Sequence, residues 1–346
     1  MRLPMVRDLA IDLGTTTISI LARGHGVILS EPSVLARAVE SGEVVAVGTE
    51  AAQMMGRTPD GIEAMRPLRG GAITDFESAE GMIRCFLQRV GVRRLNRPRI
   101  VVCVPSSITP VEQRAVREAA YRAGASEVQL LGYTMAAALG CRLPLDQPQG
   151  SMVVDIGGGT TEAAVVSLGG VVASEFRRSG GLDLDSDIRD YVNRRHGVDI
   201  SLGSAEQLKL ALGTARPRAY AAAPEGTATV RGRQVGSGAV EEVTLTTTEV
   251  ADAIYDRVMV IIDAVVACLG WAPPEIANDL ISNGIHLVGG AALLDGLAER
   301  IEANVKVPVA VVDDPQRVVV TGAGRCLGMF NQLEDFFLTD YAGSFR

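Results

Sequence analysis

The stretch Val154-Asp155-Ile156-Gly157-Gly158-Gly159-Thr160-Thr161 decides how this chain is read. A hydrophobic run ends at an aspartate, a turn of glycine and threonine follows, and a second apolar run begins. The same order occurs near the start, as Ala10-Ile11-Asp12-Leu13-Gly14-Thr15-Thr16-Thr17. The two aspartates are about one domain length apart. The echo predicts a duplicated domain with a cleft between the copies.

Outward from these turns, short apolar runs alternate with helical stretches, the pattern of an α/β protein. Strands are predicted over Leu9–Leu13, Thr17–Leu21, Ile100–Val104, Met152–Asp155, Ala163–Leu168, Ile285–Val288 and Val309–Val312. Helices are predicted over Ala79–Gln88, Pro110–Ala123, Leu184–His196, Ala205–Ala211, Thr248–Cys268 and Leu294–Ala303. Pro110 suits a first helical turn, with Thr109 as its N-cap. The stretch Ala215–Gly238, rich in Ala, Pro, Gly and Arg, is expected to contain an exposed loop before a short extended run through Val243–Thr246.

The chain has 346 residues, 47% of them hydrophobic, and a formal net charge of −8. That is enough for about two domains with a buried core, and too apolar for disorder. A pI near 5.1 repels phosphate backbones, and no nucleic-acid partner is expected. Cys85, Cys103, Cys141, Cys268 and Cys326 are scattered, with neither zinc nor redox spacing, and read as reduced thiols. Met1–Asp8 is too short and polar for a signal peptide, and the apolar run Val258–Leu269 is broken by Asp263 and too short to span a bilayer. A soluble, cytoplasmic protein is expected.

A tight turn of Gly and Thr presents backbone N–H groups and hydroxyls with no bulky side chain in the way. Such a concavity suits phosphate, although a single turn of this kind is also an ordinary hairpin. An aspartate at the strand end beside it can hold the waters of a Mg²⁺ that neutralises the same phosphates. Two turns facing each other would clasp a polyphosphate. A third cluster, His286-Leu287-Val288-Gly289-Gly290-Ala291-Ala292-Leu293-Leu294, lets a flat base or ribose approach the backbone. It does not match the dinucleotide Gly-x-Gly-x-x-Gly pattern, and the chain has no Gly-Lys-Ser/Thr of a P-loop.

These motifs resemble the actin, heat-shock-chaperone and sugar-kinase ATPase superfamily. Within it the chain resembles the bacterial actin MreB family, including its MreB-like (Mbl) paralogues. The resemblance runs from about residue 9 to about residue 328. Beside the three turns it rests on Leu29-Ser30-Glu31-Pro32-Ser33-Val34, Gly56-Arg57-Thr58-Pro59, Arg66-Pro67-Leu68, Asp75-Phe76-Glu77, Val101–Ser106 and Arg114-Ala115-Val116-Arg117-Glu118-Ala119-Ala120.

The resemblance implies an actin-like α/β fold of two duplicated RNase H-like domains, each with a smaller subdomain, and ATP or ADP with Mg²⁺ in the central cleft. Domain I would cover 1–150, with subdomain IA at 9–32, 75–150 and a C-terminal helix at about 316–330, and IB at 33–74. Domain II would cover 151–330, with IIA at 151–183 and 249–315 and IIB at 184–248. By the same resemblance, Gly14, Thr15, Thr16 and Thr17 would meet the phosphates on one side, and Gly157, Gly158, Gly159, Thr160 and Thr161 on the other. Asp12 and Asp155 would hold Mg²⁺ through water and, with Thr161, serve catalysis. Glu206 and Lys209 match the family's Glu-x-x-Lys beside the ribose and base, or else form a surface ion pair. Gly289, Gly290, Ala291 and Ala292 match the adenosine turn, with Ala in place of the family's third Gly.

The largest departure is at Tyr133-Thr134, where the family has Glu-Pro. The resemblance gives that Glu the task of orienting the attacking water. A neutral phenol, with an ordinary pKa near 10, is a poor base at neutral pH. Slow or absent hydrolysis with retained ATP binding is expected, unless Tyr133 packs in the wall while another residue positions water. Membrane contact is expected, if anywhere, through Met1–Arg7 or the arginine-rich loop Val92–Arg99, with a solvated loop as the alternative. The tail Asn331–Arg346, with Phe336, Phe337 and Tyr341, either packs on subdomain IA or meets a partner.

The resemblance thus implies a filament-forming, ATP-binding cytoskeletal protein that supports cell shape or directs wall synthesis. Its partners would be other copies of itself and morphogenesis or wall-synthesis proteins. A non-polymerising paralogue that binds ATP and partners is the alternative. A sugar kinase lacks its acidic base here, and a chaperone its peptide-binding segment.

Overall fold

The computed structural model describes residues 8–93, 97–216, 225–328 and 337–338. The predicted membrane segment Met1–Arg7 and most of the tail Asn331–Arg346 lie outside them. The chain divides into two units: Met1–Gln149 with Val166–Val172 and Gln316–Arg346, and Gly150–Val165 with Ala173–Pro315.

In the first unit, β1 (Asp8–Leu13), β2 (Thr17–Ala22), β3 (Gly26–Pro32), β4 (Arg99–Val104) and β5 (Glu127–Gly132) form a sheet in the order β5-β4-β1-β2-β3. β1 and β2 are antiparallel with Asp12 opposite Ser19, whereas β1 with β4 and β4 with β5 are parallel. β1 is the middle strand, so Leu9, Ala10, Ile11 and Leu13 are all buried. Burial on both faces is why its sequence reads as a continuous apolar run rather than an alternation. Helices α1 (Phe76–Arg89), α2 (Pro110–Arg122) and α3 (Tyr133–Gly140) belong to the same unit. α2 opens on a capping box: the Glu112 N–H donates to the Thr109 hydroxyl, and the Thr109 N–H to the Glu112 carboxylate. The C-terminal helix Val318–Cys326 closes on α3 at backbone contact, because a Cβ on Gly322 would collide with the Ala136 carbonyl. A smaller sheet of Val44–Val47, Leu35–Ala38 and Ile62–Met65 has its own core of Val34, Ala36, Ala46 and Ala51.

The second unit repeats the plan. Its strands β6 (Ser151–Ile156), β7 (Thr161–Ser167), β8 (Gly170–Arg177), β9 (Ile285–Val288) and β10 (Val309–Val311) are ordered β8-β7-β6-β9-β10. Taken from the other end, this is the topology of the first sheet. The aspartate-bearing strand is again central and again parallel to the strand beyond it. Helices α4 (Gly181–His196), α5 (Leu202–Leu212) and α6 (Thr247–Trp271) follow in this unit. α6 buries Val250, Ile254, Val258, Ile261, Ile262, Val265 and Cys268, so the apolar run at its centre is a core stripe. Among the described residues no helix is long and apolar enough to cross a membrane. None of the five cysteines is in a disulfide.

Three expectations need correction. Thr227–Gln234, inside the stretch read as loop-bearing, is a strand paired antiparallel with Val240–Thr246. Only Val230 of this strand is buried, so its Arg, Thr and Gln side chains masked the pattern. The helix expected from Leu294 starts at Leu297, because Gly296 before it is left-handed and Gly290–Leu293 is a separate 3₁₀ turn. Val92, the first residue of the loop named for membrane contact, is 4% exposed and packs in the first unit's core, so its side chain is not available to that contact. Two arginines of the same loop are also engaged. Arg97 donates to the Ala125 carbonyl, and Arg99 pairs with Asp8.

Candidate functional site

In the first unit the β1–β2 turn is held by its carbonyls. Leu13 O accepts the Tyr133 hydroxyl at 2.8 Å and Gly14 O the Ser33 hydroxyl at 2.7 Å. Thr16 O accepts the Ser33 N–H at 2.8 Å and the Arg66 guanidinium at 3.1 Å. The Gly71 N–H donates to Thr15 Oγ1 at 3.1 Å. Gly14 has no room for a side chain, since a Cβ there would lie 2.6 Å from the Thr17 carbonyl oxygen. Asp12 is half-buried at the end of β1, Thr15 is buried and Thr17 exposed. The predicted residues Asp12, Gly14, Thr15, Thr16, Thr17 and Tyr133 therefore do gather around one turn.

Tyr133 is the first residue of α3, 4% exposed, with its hydroxyl committed to Leu13. It is packed in the wall beside the turn. Its neighbour Thr134 shares a hydroxyl hydrogen bond with Ser106 at 3.1 Å.

In the second unit the Gly157–Thr160 turn closes by the Gly157 N–H donating to the Thr160 carbonyl. The first turn of α4 then packs onto it. The Gly181 N–H donates to Gly157 O at 3.0 Å, and the Leu182 N–H to Gly158 O at 2.8 Å. Gly180 makes this approach possible, as a Cβ there would lie 2.5 Å from Gly157 O and 2.8 Å from the Gly158 carbonyl carbon. Thr161 is fully buried and its hydroxyl donates to the Ser179 carbonyl at 2.8 Å.

β9 runs parallel to β6 with Val288 opposite Asp155, which sets Gly289 against the aspartate. Gly289 has φ +87°, and a Cβ on it would lie 2.5 Å from Asp155 Oδ1. Both the conformation and the space demand glycine. Ala291 does not need a positive φ, so alanine replaces the family glycine at little cost. Gly181 joins the three predicted clusters: the position of its absent Cβ lies 3.5 Å from Lys209 Nζ, 3.8 Å from the Ala291 Cβ and 3.8 Å from Gly157 O.

Lys209 Nζ is 2.7 Å from Asp185 Oδ1 and donates to Gly181 O at 3.0 Å. It pairs with Asp185 on α4 rather than with Glu206, which is exposed on α5. Asp155 is 7% exposed, and burial pushes its carboxyl up to about 7. A buried carboxylate with no cation against it among the described residues fits a nearby bound charge of opposite sign. Among the described residues no group of three or more His, Cys, Asp or Glu is placed to ligate a metal directly.

Sequence reading gave no task to Ser33, Arg66, Gly71, Gly180, Gly181 or Asp185, although Ser33 and Arg66 lie in segments that carry the resemblance. Each is separated along the chain from the group it holds, and no local motif marks its task.

Two five-stranded sheets of one topology, each with a carboxylate at the end of its central strand and a small-residue turn beyond it, define the actin-like class. The chain belongs to the MreB/Mbl protein family, whose pattern matches residues 6–335. The cell shape-determining protein MreB of Escherichia coli (strain K12) is 43% identical over 330 residues, covering 94% of each chain. The cell shape-determining protein Mbl of Bacillus subtilis (strain 168) is 40% identical over 328 residues, 94% of this chain and 97% of that one. The crystal structure of MreB5 of Spiroplasma citri bound to ADP superposes with a TM-score of 0.88 at 28% identity, covering 96% of this chain and 99% of that one. The same protein bound to AMPPNP gives 0.87 and 28%, covering 94% and 97%.

Proposed function

We propose that this chain is an ATP-binding, actin-like cytoskeletal protein of the cytoplasm that polymerises and supports cell shape or directs wall synthesis. The observation that carries it is the convergence at Gly181 of the phosphate-type turn, the Gly289–Ala292 turn and the α5 lysine. The ADP and AMPPNP complexes of Spiroplasma citri MreB5 support a nucleotide as the ligand.

In this reading Gly14, Thr15, Thr16 and Thr17 in one turn, and Gly157, Gly158, Gly159 and Thr160 in the other, are the N–H and hydroxyl donors suited to phosphate oxygens. Gly289, Gly290, Ala291 and Ala292 lie against the adenosine, flanked by Glu206 and Lys209. Asp12 and Asp155 hold the waters of a Mg²⁺, which supplies neutralising charge to the phosphates. Thr161 acts as a brace for its turn, because its hydroxyl is engaged with Ser179. The four subdomains follow the boundaries given above.

Tyr133 cannot take the part of a water-orienting carboxylate while its hydroxyl donates to Leu13, so hydrolysis is slow. This also favours a second reading, a non-polymerising paralogue that binds ATP and partners. Electron microscopy of the purified chain with ATP and Mg²⁺ separates the two. Filaments support the first reading; particles that bind ATP yet stay monomeric support the second. Absence of ATP binding by calorimetry overturns both. Membrane attachment through Met1–Arg7 or Val92–Arg99 rests, in the loop, on Arg93, Arg94 and Leu95. Co-sedimentation with anionic liposomes that survives Leu95→Ser and Arg94→Ser removes the loop from this proposal.

A further inference from the structure

β5 is an edge strand of the first unit's sheet, paired on one side with β4. An edge presents unpaired N–H and C=O groups and invites another strand. Here the chain's own C-terminal residues take that place. Phe337 forms an antiparallel bridge with Leu131, and the Leu338 N–H donates to the Leu130 carbonyl at 2.9 Å. Arg117, on α2, donates to the Leu338 carbonyl at 2.8 Å. Phe337 is 7% exposed, and Leu338 packs against the unit's core. The docked pair lies past residue 335, where the match to the family ends.

We propose that the β5 edge beside α2 is a strand-docking groove for extended segments carrying an aromatic–aliphatic pair, and that Phe337–Leu338 plug it in cis. Backbone pairing supplies the attraction and the buried Phe337 the selection, the mode by which extended peptides add to sheet edges. Arg117 reads the backbone carbonyl of the second residue. The docked piece is short, two consecutive described residues, so a longer incoming segment of the same chemistry can replace it. Because Leu131 is two residues from Tyr133, occupancy of the groove also bears on the start of α3.

The test uses the full chain carrying Phe337→Ser and Leu338→Pro, which removes the plugging side chain and the N–H donor. The probe is a labelled peptide of the chain's own Asn331–Arg346 sequence. The opened variant is expected to bind the peptide at least about tenfold more tightly than the intact chain does, and adding Arg117→Ala to lower that binding about fivefold or more. Equal binding to both chains, or binding to neither while the variant keeps its native circular dichroism, overturns the proposal. Hydrogen exchange on the intact chain is an independent check should the variant not fold. The Leu338 amide is expected to exchange at least about tenfold more slowly than in the free peptide, and exchange at the free-peptide rate overturns the plug.

Discussion

The Tyr133 hydroxyl donates to the Leu13 carbonyl at 2.8 Å, tying the first residue of α3 to the last residue of β1. The bond is buried and joins two positions that must both be right for the phosphate-type turn to keep its shape. Tyr133→Phe keeps the ring and leaves that carbonyl without its donor. A loss of about 1–2 kcal/mol in unfolding free energy is expected, measured by denaturant titration. Tyr133→Glu restores the family residue, and single-turnover ATP hydrolysis is expected to rise by about tenfold or more. An unchanged rate in the folded variant shows that another group positions the water.

The Asp185–Lys209 pair joins α4 to α5 with the aspartate side chain 2% exposed. Lys209→Met removes the cation from that buried carboxylate, and a loss of about 3 kcal/mol or more is expected. Adding Asp185→Asn removes the buried charge and is expected to recover much of the stability. A double variant no more stable than the single one means that the two residues do not act as a pair.

Gly180→Ala places a methyl group against the carbonyls of the Gly157–Gly158 turn. The turn and the first residues of α4 must separate to admit it. Affinity for ATP is expected to fall by at least about tenfold in calorimetric titration, with the melting temperature lowered as well. Gly203→Ala, in α5 and with open space on all sides but the Ser201 hydroxyl, serves as the control expected to bind normally.

Asp8 gives the first unit a pH dependence. Burial alone would raise its carboxyl, but hydrogen bonds and charge from Arg99 and Arg23 outweigh that and hold it below the ordinary aspartate value. The native state thus keeps Asp8 ionised at a pH where the unfolded chain has begun to take up a proton. Its contribution is complete above about pH 5 and is lost as pH falls through the lowered native value. Asp8→Asn is expected to cost about 1 kcal/mol at pH 7, the arginines being partly exposed, and nothing near pH 2. Parallel stability curves for the two chains from pH 7 to pH 2 would remove Asp8 from the acid transition.

The two turns were legible because a strand end, an aspartate and a small-residue turn are neighbours in the chain, and their repetition marks a duplication. α2 was legible from Thr109, Pro110 and Glu112 for the same local reason. α3 was not, because Tyr133–Gly140 is buried on nearly every side and has no polar stripe to give a period. The supports Ser33, Arg66 and Gly71 reach the β1–β2 turn from tens of residues away, and the resemblance alone pointed near them. For Lys209 only the alternative of a surface ion pair with Glu206 is set aside, since its carboxylate partner comes from the preceding helix, a contact that no spacing within α5 could reveal. Val92 is one of two aliphatics in an arginine-rich loop, and only the packing beneath it shows that it faces inward.

The lysine bears on selectivity as well. Its ammonium is already neutralised by Asp185 and donates to the Gly181 carbonyl. An anionic ligand that drew it away would leave a carboxylate sealed from water, an uphill exchange. Lys209 therefore behaves as a tether between two helices rather than a hook for incoming charge. On the proposed nucleotide reading, discrimination beside Gly181 would then come from shape rather than from charge.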